Sequence, residues 1–425
     1  MDKVKIGYVG LGRRGFGMMK STFGQMRDVE IVSLCDTRPE RMEAAADWLE
    51  AQGRPRPRCI ADYRELVCDP EIDAVAVMTG WDSHIGVAAA ALRAGKYAAM
   101  EVGTAYDISE CFDLLAAHEA TGAPLMMLEN CCYGRREMMA IRMIREGLFG
   151  RVMHASGGYH HYLNDSDLFV ADKKTGVIDT AHYRLTEYLH RNCEQYPTHE
   201  LGPISKALSL GRGNRMVSLV SVASAACGIE DYMKEHVPAD HPFAGKSFRQ
   251  GDIVDTIITC ADGATITLTL DTTLPRPYYS REFELRGTRG GCIEINRNRA
   301  TWYLAGMPEE TYDNEAEFFE KYDHPLHREY VAAGERGGHG GKDYLVVRAF
   351  IEAVKNRTDT PIDVYDTLAW LAVGPLSAQS IALGGAPVLF PDFTHGKWER
   401  PAAPHTGKYS LDVVTEDPGT PILMD

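Results

Sequence analysis

The sequence predicts a doubly wound α/β domain followed by an α+β domain built on an open, mostly antiparallel sheet. Three observations lead there. Apolar strand-like runs alternate with helix-length segments as far as residue 128. A glycine-rich turn follows the first of those runs. Beyond residue 129 the rhythm changes to strand-like runs, the later ones joined by hairpin-sized turns. At 425 residues the chain is too long for one ordinary core and suits two domains.

In chain order, residues 4–10 read as a buried strand running into glycine, and 30–36 as a second strand ending on Asp36. Residues 16–26 can supply a helix between them, and 38–52 another, with Met42, Ala46 and Leu49 on one face. A buried strand at 72–78 is followed by an alanine-rich helix at 85–94, closed by Gly95. A strand at 97–102, a helix at 108–121 capped by Gly122 and a strand at 124–128 complete a first domain, 1–128. After a helix at 135–146, strand character recurs at 151–161, 216–223, 252–260, 265–273, 281–286 and 292–295. Turns at 261–263 and 288–291 join the later runs. Helices at 344–355 and 364–383 close a second domain, 129–395. The proline-bearing stretch 396–425 reads as a C-terminal arm or a partly ordered end.

Composition excludes several classes. With 44% hydrophobic and 25% charged residues the chain is that of a soluble globular protein. No apolar run approaches the roughly 20 residues of a membrane span. A strand beginning at Val4 leaves no room for a secretory signal, so the cytoplasm is the expected compartment. A net charge of −15 argues against nucleic acid or an anionic membrane as the main partner. The 10 cysteines show no C-x-x-C pair and no Cys/His zinc spacing. Buried free thiols are expected, although the adjacent Cys131-Cys132 could be redox-active.

Gly10-Leu11-Gly12-Arg13-Arg14-Gly15 has G-x-G-x-x-G spacing and lies between a strand and a helix. The first glycine allows a tight turn, the second lets a pyrophosphate approach the backbone, and the third lets helix pack on strand. Asp36, at the tip of the second strand, is the acid that binds ribose hydroxyls in a Rossmann domain and repels a 2′-phosphate. The cofactor expected is therefore NAD rather than NADP, with Arg38 close by as a contrary sign. Thr79-Gly80-Trp81-Asp82-Ser83-His84 and Glu101-Val102 end the next two buried strands and point to the nicotinamide side. His84 can equally be a helix N-terminal residue without a chemical role.

Here the sequence resembles the Gfo/Idh/MocA oxidoreductase superfamily, a Rossmann domain followed by an open-sheet substrate domain. Most sugar dehydrogenases of that superfamily carry Glu-Lys-Pro where this chain has Glu101-Val102-Gly103, and the missing lysine argues against simple sugar dehydrogenation. Four later motifs are sharper: Leu128-Glu129-Asn130-Cys131-Cys132-Tyr133-Gly134, Tyr196-Pro197-Thr198-His199-Glu200-Leu201-Gly202-Pro203, Asp271-Thr272-Thr273-Leu274-Pro275-Arg276-Pro277-Tyr278 and Gly338-His339-Gly340-Gly341-Lys342-Asp343. Together they resemble glycoside hydrolase family 109, NAD-dependent glycosidases described as α-N-acetylgalactosaminidases, over residues 3–395. The resemblance implies NAD contacts from Arg13, Arg14, Asp36, Trp81, Asp82, Ser83, His84, Glu101, Val102, Asn130, Arg184 and Tyr196. It implies that Tyr159, Tyr196, Pro197, Thr198, His199 and Tyr278 hold a small glycoside or glycan. Gly103 stands where the family usually has Pro, Glu200 where it usually has Gly, residues 163–180 match poorly, and the export signal of many members is missing.

A hydrolase has a chemical use for NAD. A sugar C2–H is not acidic enough for any side chain to remove. Oxidation of the C3 hydroxyl to a ketone places that proton α to a carbonyl, and loss of the proton then allows β-elimination of the C1 oxygen. Water adds back and C3 is reduced, so the cycle is redox-neutral. Tyr159 is the expected base at C2 and His199 the expected acceptor of the C3 hydroxyl proton. Tyr278 is expected to clamp substrate. On residue chemistry alone, Tyr159 and His199 can also be packing residues. His160-His161 point to opposite strand faces, which argues against a shared metal. An NAD-dependent sugar or inositol dehydrogenase and a nucleotide-bound sensor are the competing readings. Pairing of exposed open-sheet faces makes a homo-oligomer the expected assembly.

Overall fold

The computed structural model describes residues 3–170 and 182–414. It divides into two compact units, Met1–Arg145 with Tyr322–Leu371 and Phe393–Asp425, and Glu146–Lys321 with Ala372–Asp392.

The first unit is built on six parallel strands: β1 (Val4–Val9), β2 (Val29–Cys35), β3 (Arg58–Cys59), β4 (Ala74–Val77), β5 (Tyr97–Met100) and β6 (Leu125–Met127). Their order is β3-β2-β1-β4-β5-β6, so the chain reverses direction of travel across the sheet between β1 and β4. β1, β2, β4 and β5 are buried almost throughout, as a sheet covered on both faces requires. The sequence places one helix at 16–26; instead a helix starts at Arg13, directly after the glycine turn, and passes at Met19–Phe23 into a π-helical turn. β3 is two exposed residues and carries no periodic signal.

Compactness divides the chain otherwise than the change of rhythm at residue 128. The helix Lys342–Asn356 belongs to the first unit, and its reason is a buried charge. Arg348 is fully buried and grips Asp28 through two hydrogen bonds of 2.8 and 2.7 Å. Residues 393–414 also lie on this unit: Tyr133 Oη donates to the Tyr409 carbonyl at 2.9 Å, and Arg145 Nε to that of Asp412 at 2.9 Å. The helix expected at 364–383 is two helices, Val364–Leu371 and Val373–Ala382. Pro375 has no N–H for the Leu371 carbonyl four residues earlier. That carbonyl accepts instead from Thr104 Oγ1 and Ala105 N, both at 3.2 Å.

The second unit holds an eight-stranded sheet: β7 (Val152–His160), β8 (Met216–Ala223), β9 (Ile253–Cys260), β10 (Thr265–Asp271), β11 (Glu284–Gly287), β12 (Gly290–Asn296), β13 (Arg299–Leu304) and β14 (Val388–Leu389). Its order is β13-β12-β11-β7-β10-β9-β8-β14. Every pairing is antiparallel except β7 with β10, where Tyr159 lies opposite Leu270. Alternation decides the faces. In β9, Val254, Thr256, Ile258 and Cys260 are buried while Asp255, Ile257 and Thr259 face out. The helix Thr198–Ala207 covers part of the inner face and is buried at nine of its ten positions. Among the described residues no helix is long and apolar enough to cross a membrane, and all ten cysteines are free thiols.

Candidate active site

The Gly10–Gly15 turn of the first unit is shaped for a close visitor. Gly10 has φ +97°, and a Cβ on it would lie 2.5 Å from the Met78 carbonyl oxygen. A Cβ on Gly15 would lie 2.2 Å from the Gly10 oxygen, so helix and strand could not meet. Gly12 caps the helix in extended conformation, and a Cβ on it would meet only the end of the Arg41 side chain, at 3.8 Å. Asp36 is buried at the end of β2, accepting from Leu11 N (2.6 Å) and Arg38 N (2.9 Å). Arg41, not Arg38, brings a guanidinium toward it, at 3.7 Å. A fixed carboxylate beside an unencumbered backbone turn fits the ribose and pyrophosphate of NAD.

Across the sheet reversal, Trp81, Asp82, Ser83 and His84 form the first turn of the helix Trp81–Arg93 after β4. Trp81 Nε1 donates to the Val102 carbonyl at 3.2 Å, tying the ends of β4 and β5 together. Burial pushes the His84 imidazole down to about 4, so it is neutral. Gly103 is required here, because a Cβ would lie 2.5 Å from the His84 ring and 2.6 Å from that of Trp81. Glu101 is buried and accepts from Arg14 Nε at 3.0 Å. Asn130, buried just past β6, donates to Asp343 at 2.6 Å. Arg13 is exposed at the start of its helix.

The second unit gathers the other predicted residues. Tyr159, at the end of β7, has its ring centroid 4.5 Å from Tyr196 and 5.7 Å from His199. Tyr196 Oη and His199 Nε2 are 3.4 Å apart. Arg184 is buried with its guanidinium 4.8 Å from the Tyr196 ring and 5.8 Å from the Tyr159 ring. The resemblance gives Arg184 and Tyr196 to the cofactor; within this unit they pack among the residues it gives to the sugar. Pro197 precedes the helix Thr198–Ala207, whose second residue is His199. Thr198 is fully buried, and its hydroxyl has no hydrogen-bond partner among the described residues.

Two members of this cluster escaped the sequence reading. His161 Nδ1 lies 2.9 Å from Tyr159 Oη. Burial, then the nearby Arg184 and His199, push the His161 imidazole down to about 4, leaving it neutral and hydrogen-bonded to the phenol. The i, i+2 spacing on a strand was the available signal. Tyr279 rather than Tyr278 approaches, its ring 5.0 Å from His161 and 6.2 Å from Tyr159, whereas Tyr278 is exposed. Adjacent tyrosines face opposite ways, and spacing cannot say which one turns inward. His160 faces away toward Glu282, at 3.6 Å.

Glu200, unusual for the resemblance, has a structural explanation. It is buried and paired with buried Arg281 at 3.0 Å. Gly157 makes the room, since a Cβ there would lie 2.7 Å from Glu200 Cγ. Helix and β7 are thereby locked side by side, holding His199 and Tyr159 on the same face of the unit.

The two folds define an NAD-binding oxidoreductase architecture of the Gfo/Idh/MocA kind. Residues 4–129 match the oxidoreductase family, NAD-binding Rossmann fold, and residues 133–400 match the glycosyl hydrolase 109 C-terminal domain. The chain belongs to glycosyl hydrolase family 109 and is an NAD-dependent glycoside hydrolase. It is 36% identical to the α-N-acetylgalactosaminidase of Tannerella forsythia over 93% of this chain and 87% of that one. It is 35% identical to a family 109 protein of Stenotrophomonas maltophilia, over 96% of this chain and 93% of that one. Among solved structures, an NAD-binding oxidoreductase from Klebsiella pneumoniae shares the fold with a TM-score of 0.69 at 17% identity, covering 92% of this chain and 100% of the other. A levoglucosan dehydrogenase in complex with NADH and levoglucosan does so with a TM-score of 0.65 at 18% identity, at the same coverages.

Proposed function

We propose that the enzyme hydrolyses N-acetylhexosaminides, N-acetylgalactosaminides first among them, by transient oxidation at C3 and elimination across C1–C2. The observation that carries this reading is the Tyr159–His161 hydrogen bond beside Arg184 and His199. The name of the Tannerella relative supports the choice of sugar. Gly10, Gly12, Arg13, Arg14, Gly15, Asp36, Trp81, Asp82, Ser83, His84, Glu101, Val102 and Asn130 would hold NAD, with Arg184 and Tyr196. Bound there, NAD would supply reversible hydride acceptance for the sugar's C3.

His199 accepts the C3 hydroxyl proton as the carbonyl forms. Tyr159 then takes the C2 proton. It does so as the phenolate, stabilised by the Arg184 charge and by a hydrogen bond from neutral His161. The C1–O bond breaks as the C1–C2 double bond forms, and the aglycone leaves with a proton. Water adds to C1 and gives up a proton that replaces the one carried off by the aglycone, Tyr159 returns a proton to C2, and His199 returns its proton to the C3 oxygen as C3 is reduced. Tyr196, Pro197 and Thr198 line the sugar's seat together with Tyr279, and Tyr278 borders it from outside.

Incubation in D₂O with a chromogenic N-acetylgalactosaminide tests the sequence of steps. Deuterium is expected at C2 of the released sugar. Complete retention of the original hydrogen would remove the mechanism, and steady accumulation of free NADH with no released sugar would favour a dehydrogenase.

A further inference from the structure

The segment Gly338-His339-Gly340-Gly341-Lys342-Asp343 has so far no role. We propose that Asp343 is a positioning residue of the NAD site, presetting Arg14 and Asn130 for the cofactor. This inference rests on the reading that those two residues touch NAD.

Asp343 is 1% exposed, yet four nitrogen atoms converge on its carboxylate, three from two distant segments and one from His339 four residues before it. Arg14 engages it bidentately, Nη1 to Oδ2 at 2.9 Å and Nη2 to Oδ1 at 3.0 Å. Asn130 Nδ2 donates to Oδ1 at 2.6 Å, and His339 Nδ1 lies 2.8 Å from Oδ2. Burial raises the cost of this charge, but the bonds from His339 and Arg14 outweigh it and hold the carboxyl well below its ordinary range. The backbone is bent to make this possible. His339 sits at φ +55° and is followed by Gly340 at +66° and Gly341 at +87°, a left-handed run that a side-chain-bearing residue rarely adopts.

The arrangement answers a specific difficulty. Arg14 lies in the glycine turn with its side chain 40% exposed, and a free arginine there would have many rotamers. Glu101 and Asp343 take hold of its Nε and its two terminal nitrogens, leaving one orientation. An arginine ordered before the cofactor arrives loses little entropy on binding, so affinity rises without a new contact. Asp343 also joins Arg14 to Asn130, which share it as acceptor. The end of β5, where Glu101 stands, lies on the nicotinamide side of the sheet reversal.

The test is a double-mutant cycle on the full-length holoprotein, following exchange of bound NAD for isotopically labelled NAD. Asp343→Asn and Arg14→Gln should each raise the NAD dissociation constant about tenfold, in line with loss of a charge-assisted bond. The double variant should lose clearly less than the sum of the two single losses, a coupling that a merely structural aspartate would not show. Full additivity, or unchanged exchange in Asp343→Asn, overturns the proposal. Unchanged exchange in Arg14→Gln overturns it too, by removing Arg14 from the cofactor site. If Asp343→Asn does not fold, Arg14→Lys serves, since lysine keeps the charge but cannot make the paired contact. Wild-type exchange in Arg14→Lys overturns the proposal, and faster exchange supports it.

Discussion

Tyr159 Oη and His161 Nδ1 are 2.9 Å apart with a single residue between them, at the point where β7 ends and its alternation still places both on one face. The neutral imidazole is the hydrogen-bond partner of a phenol that also lies under a buried guanidinium. Tyr159→Phe removes the hydroxyl and keeps the ring packing. Glycoside cleavage should fall by roughly 10²–10⁴-fold, the usual worth of a general base. Bound NAD, read from released cofactor, should be unchanged.

The buried pair Glu200–Arg281 makes a stability prediction. Glu200→Gly introduces the residue usual in the family but strands a buried guanidinium, and should cost on the order of 3–5 kcal/mol. Glu200→Gly combined with Arg281→Met should recover most of that loss in denaturant melts. Equal losses in the single and double variants would contradict the account.

His84 gives the fold an acid limit. Its folded pKa is pushed below the unfolded value, to about 4, so the unfolded chain binds the extra proton between pH 6.5 and 4. Stability should therefore be fully present above about 6.5 and decline as pH falls toward 4, by on the order of 2–3 kcal/mol from this residue. His161 adds to the same window in the same direction. Urea melts at stepped pH, compared with a His84→Gln variant, read the difference; an identical slope in the two proteins would count against it.

Asp36 should set the choice of dinucleotide. Asp36→Ser removes the charge that opposes a 2′-phosphate and leaves Arg41, with Arg38 next in line, to receive one. NADP affinity should rise relative to NAD by tenfold or more, on the order of one charge-assisted hydrogen bond. Isothermal titration with each dinucleotide measures the ratio.

Much of the first unit was legible because its signals are local. A parallel sheet covered on both faces needs unbroken apolar runs, and a pyrophosphate turn needs glycines at set spacing beside an acid. Each sits within a few residues of its neighbour in sequence, so β1, β2, β4, β5 and β6 and the turn between Gly10 and Gly15 could be placed without coordinates. The break before Val373 was missed although Pro375 announces it, because the apolar period runs straight through. The two short strands at Arg299–Leu304 and Val388–Leu389 were missed because pairing, rather than composition, makes them strands.

By itself, the amino-acid order determined that a Rossmann turn exists and that Asp36 stands at the end of the strand beside it, and through the resemblance to family 109 it led to the expectation that Tyr159, Tyr196 and His199 act together. Only the tertiary structure decided that His161 and Tyr279 stand beside Tyr159, that Glu200 is answered by Arg281, and that Asp343 reaches back to Arg14. These relations join residues whose facing or pairing depends on which way a strand end turns and which helix lies over it. Packing and the burial of charge settle such choices, and neither is encoded by spacing along the chain.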